Sequence, residues 1–397
     1  MSDMDPTRRR VLVTDGNNRA ALAVTRSLGR RGHHVVVGEA GGRALAQASR
    51  YCSTAVTYPD PARQPQAFVE WLAATVVSER IDVVLPVADI ATVLVVENRQ
   101  AIDPKVRIPF STAHAINRAA DKSCLVRLAN ELGVPAPATV VLDHPSRVQE
   151  CAARVNFPLV IKPHRSRVRT EDGWAQASVR YARDMTGLER DLASRRVHEF
   201  PVLLQEYIPG YGLGVFACCD RGRPVALFSH RRLREKPPTG GVSVLSESIK
   251  VPPLAQAYAE ALLGALGWHG VAMVEFKIDA RDAKPRLMEI NGRFWGSLQL
   301  AIDAGVDFPA ILLDLADGHA PATPPAYREG VRSRWLWGDV DSLMISLRNG
   351  PPNGRGRLGL VMDFAKLWQR DLHYENPRWA DLRPWFFETA RWIRRAV

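Results

Sequence analysis

The sequence predicts an α/β protein in which a small, doubly wound parallel sheet precedes a larger mixed α/β unit. In the N-terminal third, short apolar runs alternate with helical patterns, which is typical of a parallel sheet covered by helices. Beyond residue 270, two alternating apolar runs flank the polar segment 279–285, which favours an antiparallel hairpin. A tryptophan-rich C-terminal extension follows, and we expect it to be helical.

The N-terminal third is expected to hold three strands joined by helices. Predicted strands are residues 10–15, 34–39 and 81–87, and predicted helices are residues 20–31 and 66–79. After the first strand the chain reads DGNNRA, which lacks the glycine-rich turn that cradles a dinucleotide pyrophosphate. A nicotinamide-dependent oxidoreductase is therefore disfavoured. Asp15, Gly16 and Asn17 either contact substrate or form an ordinary turn with an asparagine cap, and both interpretations remain open.

The composition is that of a globular protein. The chain has 397 residues, of which 46% are hydrophobic and 24% charged, enough for two or three domains. Neither a secretory signal nor a membrane-spanning run is recognisable, and the five cysteines lack metal-ligand or scaffold spacing. We therefore expect reduced thiols and a cytoplasmic protein. The net charge of +11 lies in scattered basic pairs without a base-reading motif, so we expect no nucleic-acid partner. Binding of anionic small substrates or of a membrane surface would account for the positive net charge.

The predicted hairpin brings two acids together. If its turn is centred near Asp282, Glu275 and Glu289 lie opposite each other on adjacent strands, where like charges repel. Because side chains alternate faces along a strand, Asn291 and Arg293 share the face of Glu289. Two carboxylates, an amide and a guanidinium are thus predicted in one small volume.

A hard divalent cation would offset this repulsion, because Mg²⁺ is usually held by one or two carboxylates together with phosphate oxygens. Arg293 would then offer a planar fork to a phosphoryl or carboxylate group. The alternative is a surface hairpin whose acids pair with Lys277, Lys284 or Arg286. We favour the metal site because the four residue types occur together.

The segments MVEFKID (273–279) and MEINGRFWGS (288–297) resemble the metal-binding strands of the ATP-grasp superfamily, especially its carboxylate-amine ligase and carbamoyl-phosphate-synthase-like branch. The resemblance implies an ATP-grasp fold with ATP and Mg²⁺ or Mn²⁺ as cofactors. It also implies that Glu275, Glu289 and Asn291 ligate the metal. Arg293 would face the reacting phosphate, which makes it a catalytic candidate.

Two upstream segments resemble the phosphate-contacting parts of the same superfamily. Residues 119–137, AADKSCLVRLANELGVPAP, predict an amphipathic helix ended by Gly133. Residues 157–163, FPLVIKP, predict an apolar strand carrying one lysine. By resemblance, Lys122 reaches the nucleotide phosphates and Lys162 contacts phosphate and assists catalysis. The glycine-poor segment after Lys162, HRSRVRTEDGW, departs from the glycine-rich flap of many relatives.

Two further segments complete the predicted site. Residues 202–210, VLLQEYIPG, resemble the hinge strand against which adenine stacks, which makes Glu206, Tyr207 and Ile208 the nucleotide-binding candidates. No ribose ligand is assigned. In HRRLREKPPTGGVSVLSES (230–248), a double glycine follows a basic cluster. We expect a loop here to meet the acceptor carboxylate, with Arg234 as a catalytic candidate; a solvated edge is the alternative.

The C-terminal extension begins after a proline-rich linker, residues 316–330, and contains six of the ten tryptophans. Its last segment places six apolar side chains near one helical face: Trp379, Leu382, Trp385, Phe386, Trp392 and Ile393. Such a basic helix can lie on a membrane interface. We prefer docking on its own domain or on a second subunit in a homodimer, because core helices are commoner.

The expected organisation is a pre-ATP-grasp domain (1–115), an ATP-grasp domain (116–320, with a lid at about 145–205) and the extension (321–397). The resemblance implies an ATP-dependent carboxylate-amine ligase, in which an acyl phosphate is attacked by an amine and ADP and phosphate are released. The expected partners are a small-molecule carboxylate and an amine. A carbamoyl-phosphate-synthase-like or bicarbonate-activating enzyme and a non-catalytic ATP-binding module remain open alternatives.

Overall fold

The computed structural model describes residues 8–165, 167–170, 173–176, 179–195, 201–238, 240–350, 356–366 and 370–396. The strands are β1 (Arg10–Val13), β2 (His34–Glu39), β3 (Thr54–Thr57), β4 (Val83–Leu85), β5 (Thr139–Leu142), β6 (Leu159–Pro163), β7 (Arg167–Thr170), β8 (Gly173–Gln176), β9 (Arg180–Ala182), β10 (Val202–Glu206), β11 (Gly210–Asp220), β12 (Arg223–Lys236), β13 (Val242–Ser248), β14 (Gly270–Asp279), β15 (Pro285–Asn291), β16 (Arg332–Arg334) and β17 (Leu372–Tyr374).

The α-helices of the described residues are α1 (Arg19–Arg30), α2 (Pro65–Ser78), α3 (Asp89–Glu97), α4 (Ala113–Ala120), α5 (Lys122–Glu131), α6 (Val148–Ala152), α7 (Met185–Ala193), α8 (Pro253–Ala265), α9 (Leu298–Ala304), α10 (Phe308–Ala316), α11 (Leu336–Asn349), α12 (Arg357–Phe364) and α13 (Arg383–Ala396). None of the helices in this described part of the chain is long and apolar enough to cross a bilayer.

The N-terminal sheet is parallel, in the order β3-β2-β1-β4. The strands β1 and β2 are valine-rich runs whose central residues are buried, as expected where helices cover both faces. This confirms the predicted fold class. The edge strand β3 escapes prediction because TAVT is short and none of its residues is fully buried. At the turn after β1, the Asn18 side chain accepts a hydrogen bond from Ala20 N (3.0 Å), so an asparagine does cap α1.

A second, antiparallel sheet has the order β5-β10-β6-β9. It carries Lys162 on β6 and the predicted adenine hinge at the end of β10. The helices α6 and α7 cover one face, where Leu159, Ile161, Val202 and Leu204 form a small separate core. This sheet therefore holds the predicted phosphate lysine and the hinge on neighbouring strands.

The central sheet has seven strands in the order β15-β14-β11-β12-β13-β16-β17. The segment 230–248, in which a loop is expected from the sequence, is mostly strand, because β12 continues to Lys236 and β13 starts at Val242. The double glycine thus lies in a short turn. Two register irregularities, between Arg232 and Arg234 and between Arg234 and Glu235, mean that simple alternation does not give the facing of Arg234.

The C-terminal extension is not purely helical, since β16 and β17 add two parallel-paired strands to the central sheet. The strand β16 follows the proline-rich linker directly. The backbone of residues 331–334 forms hydrogen bonds with β13 and with neighbouring segments. Short strands of only three residues carry too little periodic signal to be predicted.

The end of the extension docks on the chain itself, as preferred from the sequence. The buried Arg26 guanidinium of α1 donates to Asp381 Oδ2 (2.8 Å) and to three backbone carbonyls of residues 375–381. On α13, Trp392 stacks on Trp337 at 4.3 Å between ring centroids. The opposite face of α13 remains exposed, with Phe386 60% and Ile393 49% accessible.

Candidate active site

One cavity of about 1020 Å³ lies between the central sheet, the second sheet and the C-terminal extension. It is lined by each of the ten residues predicted from the sequence: Lys122, Lys162, Glu206, Tyr207, Ile208, Arg234, Glu275, Glu289, Asn291 and Arg293. These residues come from α5, β6, β10 and the segment after it, β12, β14, and β15 and the segment that follows. The fold therefore collects residues separated by 171 positions in the chain, from 122 to 293, at one concave surface.

The two acids lie where the hairpin pattern places them. Glu275 on β14 is the direct cross-strand partner of Glu289 on β15. A register irregularity follows Glu275, which increases the local twist of the hairpin. The predicted opposition of the two carboxylates is thus confirmed, and the sequence-based alternative of a plain surface hairpin does not describe their surroundings. Lys277 and Lys284 form none of the described ion pairs with either acid.

Each acid faces a different cation. Arg232 on β12 donates to Glu275 Oε2 at 2.7 Å and to Glu235 Oε1 at 3.0 Å. Lys122 Nζ lies 3.8 Å from Glu289 Oε2. The Asn291 amide donates to Glu289 Oε1 (2.9 Å), and its own oxygen lies 3.4 Å from Arg293 Nη2. Each acid therefore has a cationic partner within the cavity. These partner side chains line the same cavity and can also contact a ligand.

The electrostatic environments of the two acids differ. Burial raises the pKa of Glu275 above its ordinary value, and the ion pair with Arg232 offsets this only in part. Burial also acts to raise the pKa of Glu289, but Lys122, the Asn291 amide and Lys162 together bring the pKa of Glu289 below its ordinary value. The surroundings thus favour the ionised form of Glu289 more than that of Glu275.

The donor set fits a hard divalent cation. Two facing carboxylates and an amide oxygen are oxygen ligands, and Mg²⁺ is commonly held by one or two carboxylates while phosphates and waters complete its shell. Within the described residues, no group of three or more His, Cys, Asp or Glu side chains is arranged to hold a metal. The set here has two acids only, so it suits an ion that shares ligands with a phosphate.

Arg293 is held by a residue of the N-terminal unit. Its guanidinium forms a forked contact with Asp89 at the start of α3, with Nη2 to Oδ2 at 3.2 Å, and its Nη1 donates to Phe294 O at 2.9 Å. Burial alone would raise the pKa of Asp89, but Arg293 holds it below its ordinary value. Asp89 escapes sequence analysis; its only signal is an acid shortly after a buried strand, in LPVAD.

The two predicted phosphate lysines are both near the acids. Lys122 is the first residue of α5, which Asp121 caps, and is 7% exposed. Lys162 projects from β6 with its Nζ 3.9 Å from Met288 Sδ on β15. Burial lowers the pKa of Lys162, and the charge of Glu289 opposes this shift. Both amines therefore lie beside Glu289 without forming a short ion pair with it.

The predicted adenine hinge is fixed on both sides. Glu206 N donates to Ala138 O at 2.8 Å, and the Glu206 carboxylate accepts from Arg281 Nη1 at 2.6 Å. Ile208 is buried, whereas Tyr207 is 39% exposed with Lys277 Nζ 4.7 Å from its ring centroid. Adenine binding by Glu206, Tyr207 and Ile208 stays a prediction, with an apolar residue and an exposed aromatic ring at the cavity edge.

Three arginines of the basic segment 230–235 have different partners. Arg231 pairs with Glu247 at 2.9 Å and is half exposed, while Arg232 reaches Glu275. Arg234 does line the cavity, but it is bound to Asp339 of α11. The pairing of β12 with β13 is regular from His230 to Arg232 and shifts on both sides of Arg234. Sequence reasoning misses Arg232 and Asp339, because their partners lie on other segments of the chain.

The segment after Lys162 forms a two-stranded hairpin, β7 and β8, in the described residues; residues 166, 171 and 172 lie outside them. The hairpin contacts the N-terminal unit. Trp174 N donates to Ala62 O at 2.8 Å, and Arg169 pairs with Glu97 at 2.8 Å. Gly173 has φ +115°, and a Cβ there would lie 2.0 Å from Ala62 O, so this close approach needs glycine.

Comparison with known families agrees with this geometry. Residues 198–338 match the family model described as ATP-grasp in the biosynthetic pathway with Ter operon. The L-amino acid ligase of Bacillus licheniformis superposes with a TM-score of 0.63 at 15% identity, covering 82% of this chain and 79% of that one. The chain therefore has the ATP-grasp fold. The family-model match includes the predicted hinge, the acid hairpin and β16.

Two further proteins are similar to the chain. The biotin carboxylase of Campylobacter jejuni, described as a complex with β-γ-ATP, superposes with a TM-score of 0.65 at 15% identity over 82% of this chain and 74% of that one. The D-alanine–D-alanine ligase of Synechococcus sp. (strain JA-3-3Ab) is 26% identical over 195 residues, 46% of this chain and 56% of that enzyme. The chain thus matches about half the length of this curated relative. The predicted ATP-grasp fold is confirmed.

Proposed function

We propose that this ATP-grasp protein is an ATP-dependent carboxylate-amine ligase that forms an amide or peptide bond. One observation carries the proposal: the opposed Glu275 and Glu289 share a cavity with Lys122, Lys162 and the Asp89-held Arg293. This arrangement suits phosphoryl transfer, in which catalysis consists of positioning and charge neutralisation. The fold that the chain shares with an L-amino acid ligase supports the same reaction class.

The acids and their neighbours would hold the metal and the triphosphate. Glu275, Glu289 and Asn291 would ligate Mg²⁺, which supplies positive charge to the phosphates when bound. Lys122 and Lys162 would donate to phosphate oxygens, because both amines lie beside Glu289 at the start of α5 and on β6. The hinge residues Glu206, Tyr207 and Ile208 would bind adenine.

Arg293 would orient the transferring phosphoryl group, because Asp89 holds one edge of its guanidinium. In the first step, a carboxylate oxygen of the substrate bonds to the γ-phosphorus, the bond to the bridging oxygen breaks, and ADP leaves. In the second step, the amine nitrogen attacks the acyl carbon, phosphate leaves, and the nitrogen loses a proton. Neither step requires a covalent bond to the protein.

The test is a phosphate-release screen with ATP and Mg²⁺ over pairs of amino acids, with bicarbonate plus ammonia as a separate arm. We expect at least one acid and amine pair to stimulate phosphate release and to yield a product containing both. Glu289→Gln should abolish that release, since it removes one charge from the predicted metal site. Asp282→Asn is the matched control, because Asp282 lies in the loop of the same hairpin, outside the cavity.

Three outcomes would contradict the proposal. Release that needs bicarbonate and no second substrate would assign the carbamoyl-phosphate-like alternative. Nucleotide binding without release in any arm would leave a non-catalytic binding module. Undiminished turnover in a folded Glu289→Gln variant would remove the acid pair from the mechanism.

A further inference from the structure

The end of the cavity beyond the acids is formed by the C-terminal extension. It is lined by Arg334 on β16, Asp339 and Leu343 on α11, and Leu360 and Phe364 on α12, which together we name the C-terminal wall. The wall faces the same cavity as Glu275 and Glu289. The extension therefore contributes to the ligand-binding surface in addition to docking on the N-terminal unit.

Two arginines share one carboxylate in this wall. Arg234 on β12 donates from Nε to Asp339 Oδ1 at 2.7 Å, and Arg334 donates from Nε to Asp339 Oδ2 at 2.6 Å. Arg334 and Asp339 are each 1% exposed. Because two guanidiniums face one carboxylate, this cluster carries one uncompensated positive charge beside the cavity.

Each guanidinium also has an Nη1 group whose hydrogen bonds are weak or unmade among the described residues. Among the described residues, Arg234 Nη1 has one long contact, at 3.4 Å from Asp363 O. Arg334 donates from Nη2 to Phe364 O (2.9 Å), but its Nη1 is buried and has no hydrogen-bond partner among the described residues. Burying an arginine is costly unless its charge and donors are satisfied, which indicates that an anion completes the cluster.

The cluster lies close to the reaction centre. Arg234 follows Arg232 by two residues on β12, about 7 Å at the usual strand rise of ~3.3 Å per residue, and Arg232 contacts Glu275 at 2.7 Å. An anion bound by Arg234 and Arg334 is therefore within one small molecule's length of the acid pair. This anion site is separate from Arg293. Arg293 also lies near the acids, but Asp89 of the N-terminal unit holds its guanidinium.

Beside the cluster the wall is apolar. Leu343, Leu360 and Phe364 line it, and the Phe364 ring lies 4.3 Å from the Arg334 guanidinium carbon. The stacked ring holds the guanidinium plane in place. The subsite thus offers two donor edges for a planar, singly charged group, next to a hydrocarbon surface.

We propose that Arg234 and Arg334, which Asp339 holds in place, bind the carboxylate of an apolar amino acid, which serves as the amine substrate. The inference rests on the proposed ligase function, because the second step needs an amine near the activated acyl group. Holding the carboxylate at the C-terminal wall leaves the amino group free to reach the acid pair. The apolar side chain packs on Leu343, Leu360 and Phe364.

Calorimetric titration in the presence of ADP and Mg²⁺ tests this directly. The probes are leucine, methionine and phenylalanine, each paired with the amine that lacks its carboxylate: 3-methylbutylamine, 3-(methylthio)propylamine and 2-phenylethylamine. We expect at least one amino acid to bind about tenfold more tightly than its amine, as expected for a charge-assisted contact. Arg334→Met should remove that preference while leaving ADP affinity unchanged.

Arg348→Met is the matched control, because Arg348 is an exposed arginine of α11 that does not line the cavity. It should keep the full preference. The proposal is overturned if no amino acid binds more tightly than its paired amine in the parent protein, a result that needs no variant. It is also overturned if Arg334→Met, with an unchanged melting temperature, keeps the preference.

The outcomes separate this inference from the proposed function. Glu289→Gln should retain amino-acid binding and lose turnover. If binding depends on Arg334 but no pair of substrates releases phosphate, the ligase proposal fails and the anion subsite stands. If turnover occurs and Arg334→Met leaves the KM of the amine substrate unchanged, the subsite fails and the ligase proposal stands.

Discussion

Glu275 and Glu289 are direct cross-strand partners, yet each is neutralised by a cation from a different part of the chain. Arg232 on β12 contacts Glu275, while Lys122 at the start of α5 faces Glu289. These two cations therefore offset the repulsion between the paired carboxylates. A bound dication would face two carboxylates whose electrostatic environments differ, since the pKa of Glu275 is raised and that of Glu289 is lowered.

Replacing Lys162 should weaken nucleotide binding. Its amine is buried in the cavity beside Met288, and we propose that it donates to a phosphate. Lys162→Met should raise the KM for ATP by about tenfold, the effect expected for losing roughly 1.4 kcal/mol of binding. Lys284→Met, an exposed lysine in the loop of the β14–β15 hairpin, should leave the KM unchanged. An unaltered KM in Lys162→Met would exclude the phosphate contact.

Asp89 should act through Arg293. Because its carboxylate holds one edge of the guanidinium, Asp89→Asn should loosen Arg293 and lower kcat about tenfold, roughly 1.4 kcal/mol of barrier. The KM for ATP should change little, since Asp89 is on the N-terminal unit. Asp89→Glu, which keeps the charge, should recover part of the rate. Equal loss in both variants, or a change confined to KM, would contradict a positioning role.

His230 should make the protein less stable in acid. It is buried beneath the cavity, where its Nε2 shares a 2.7 Å hydrogen bond with Ser297, and burial lowers the pKa of His230 from 6.5 to about 3. Between these two values the unfolded chain takes up a proton that the folded ring does not, so stability present above pH 6.5 is lost as the pH falls.

Between pH 7.5 and pH 5 this single group should cost about 2 kcal/mol of unfolding free energy. His230→Asn should flatten the pH dependence by that amount, measured by denaturant unfolding at both pH values. His144→Asn, in the exposed turn before α6, is the control and should keep the parent slope. Identical slopes in the parent and His230→Asn would show that the ring titrates normally.

The contact between Arg26 and Asp381 should fasten the extension to the N-terminal unit. Both residues are 3% exposed, and Asp381 also accepts from Ser49 and from the Arg50 amide. Asp381→Ala leaves a buried guanidinium unpaired and should cost about 3–5 kcal/mol. Asp143→Ala, which breaks an exposed pair with Arg147, should have little effect. Equal stability of the two variants in thermal unfolding would contradict the fastening role.

The ten candidate site residues could be predicted from the sequence better than the side chains that hold them in place. Glu275, Glu289 and Asn291 could be located because strand alternation and a short loop fix their relation within one hairpin. Lys122, Lys162 and the hinge needed the family resemblance, since a single lysine beside an apolar run has no unique meaning. All ten candidates nevertheless line one cavity.

The remaining partners could not be read from the sequence for a physical reason. Asp89, Arg232 and Asp339 act through contacts between distant segments, and Asp89 and Arg293 are separated by 204 positions. The register of β12 shifts on both sides of Arg234, so alternation alone cannot anticipate which way Arg234 faces. The three-residue strand β16 brings Arg334 to the cavity, but so short a segment carries no periodic pattern.

The central claim is that the opposed acids exist to hold a dication that carries a nucleotide phosphate. The most direct measurement is the dissociation constant of ADP, with and without Mg²⁺, in the parent, Glu275→Gln, Glu289→Gln and the Asp282→Asn control. We predict that Mg²⁺ tightens ADP binding about tenfold or more in the parent and control, and that either glutamine variant loses most of this gain. An undiminished Mg²⁺ effect in both folded glutamine variants would contradict the account.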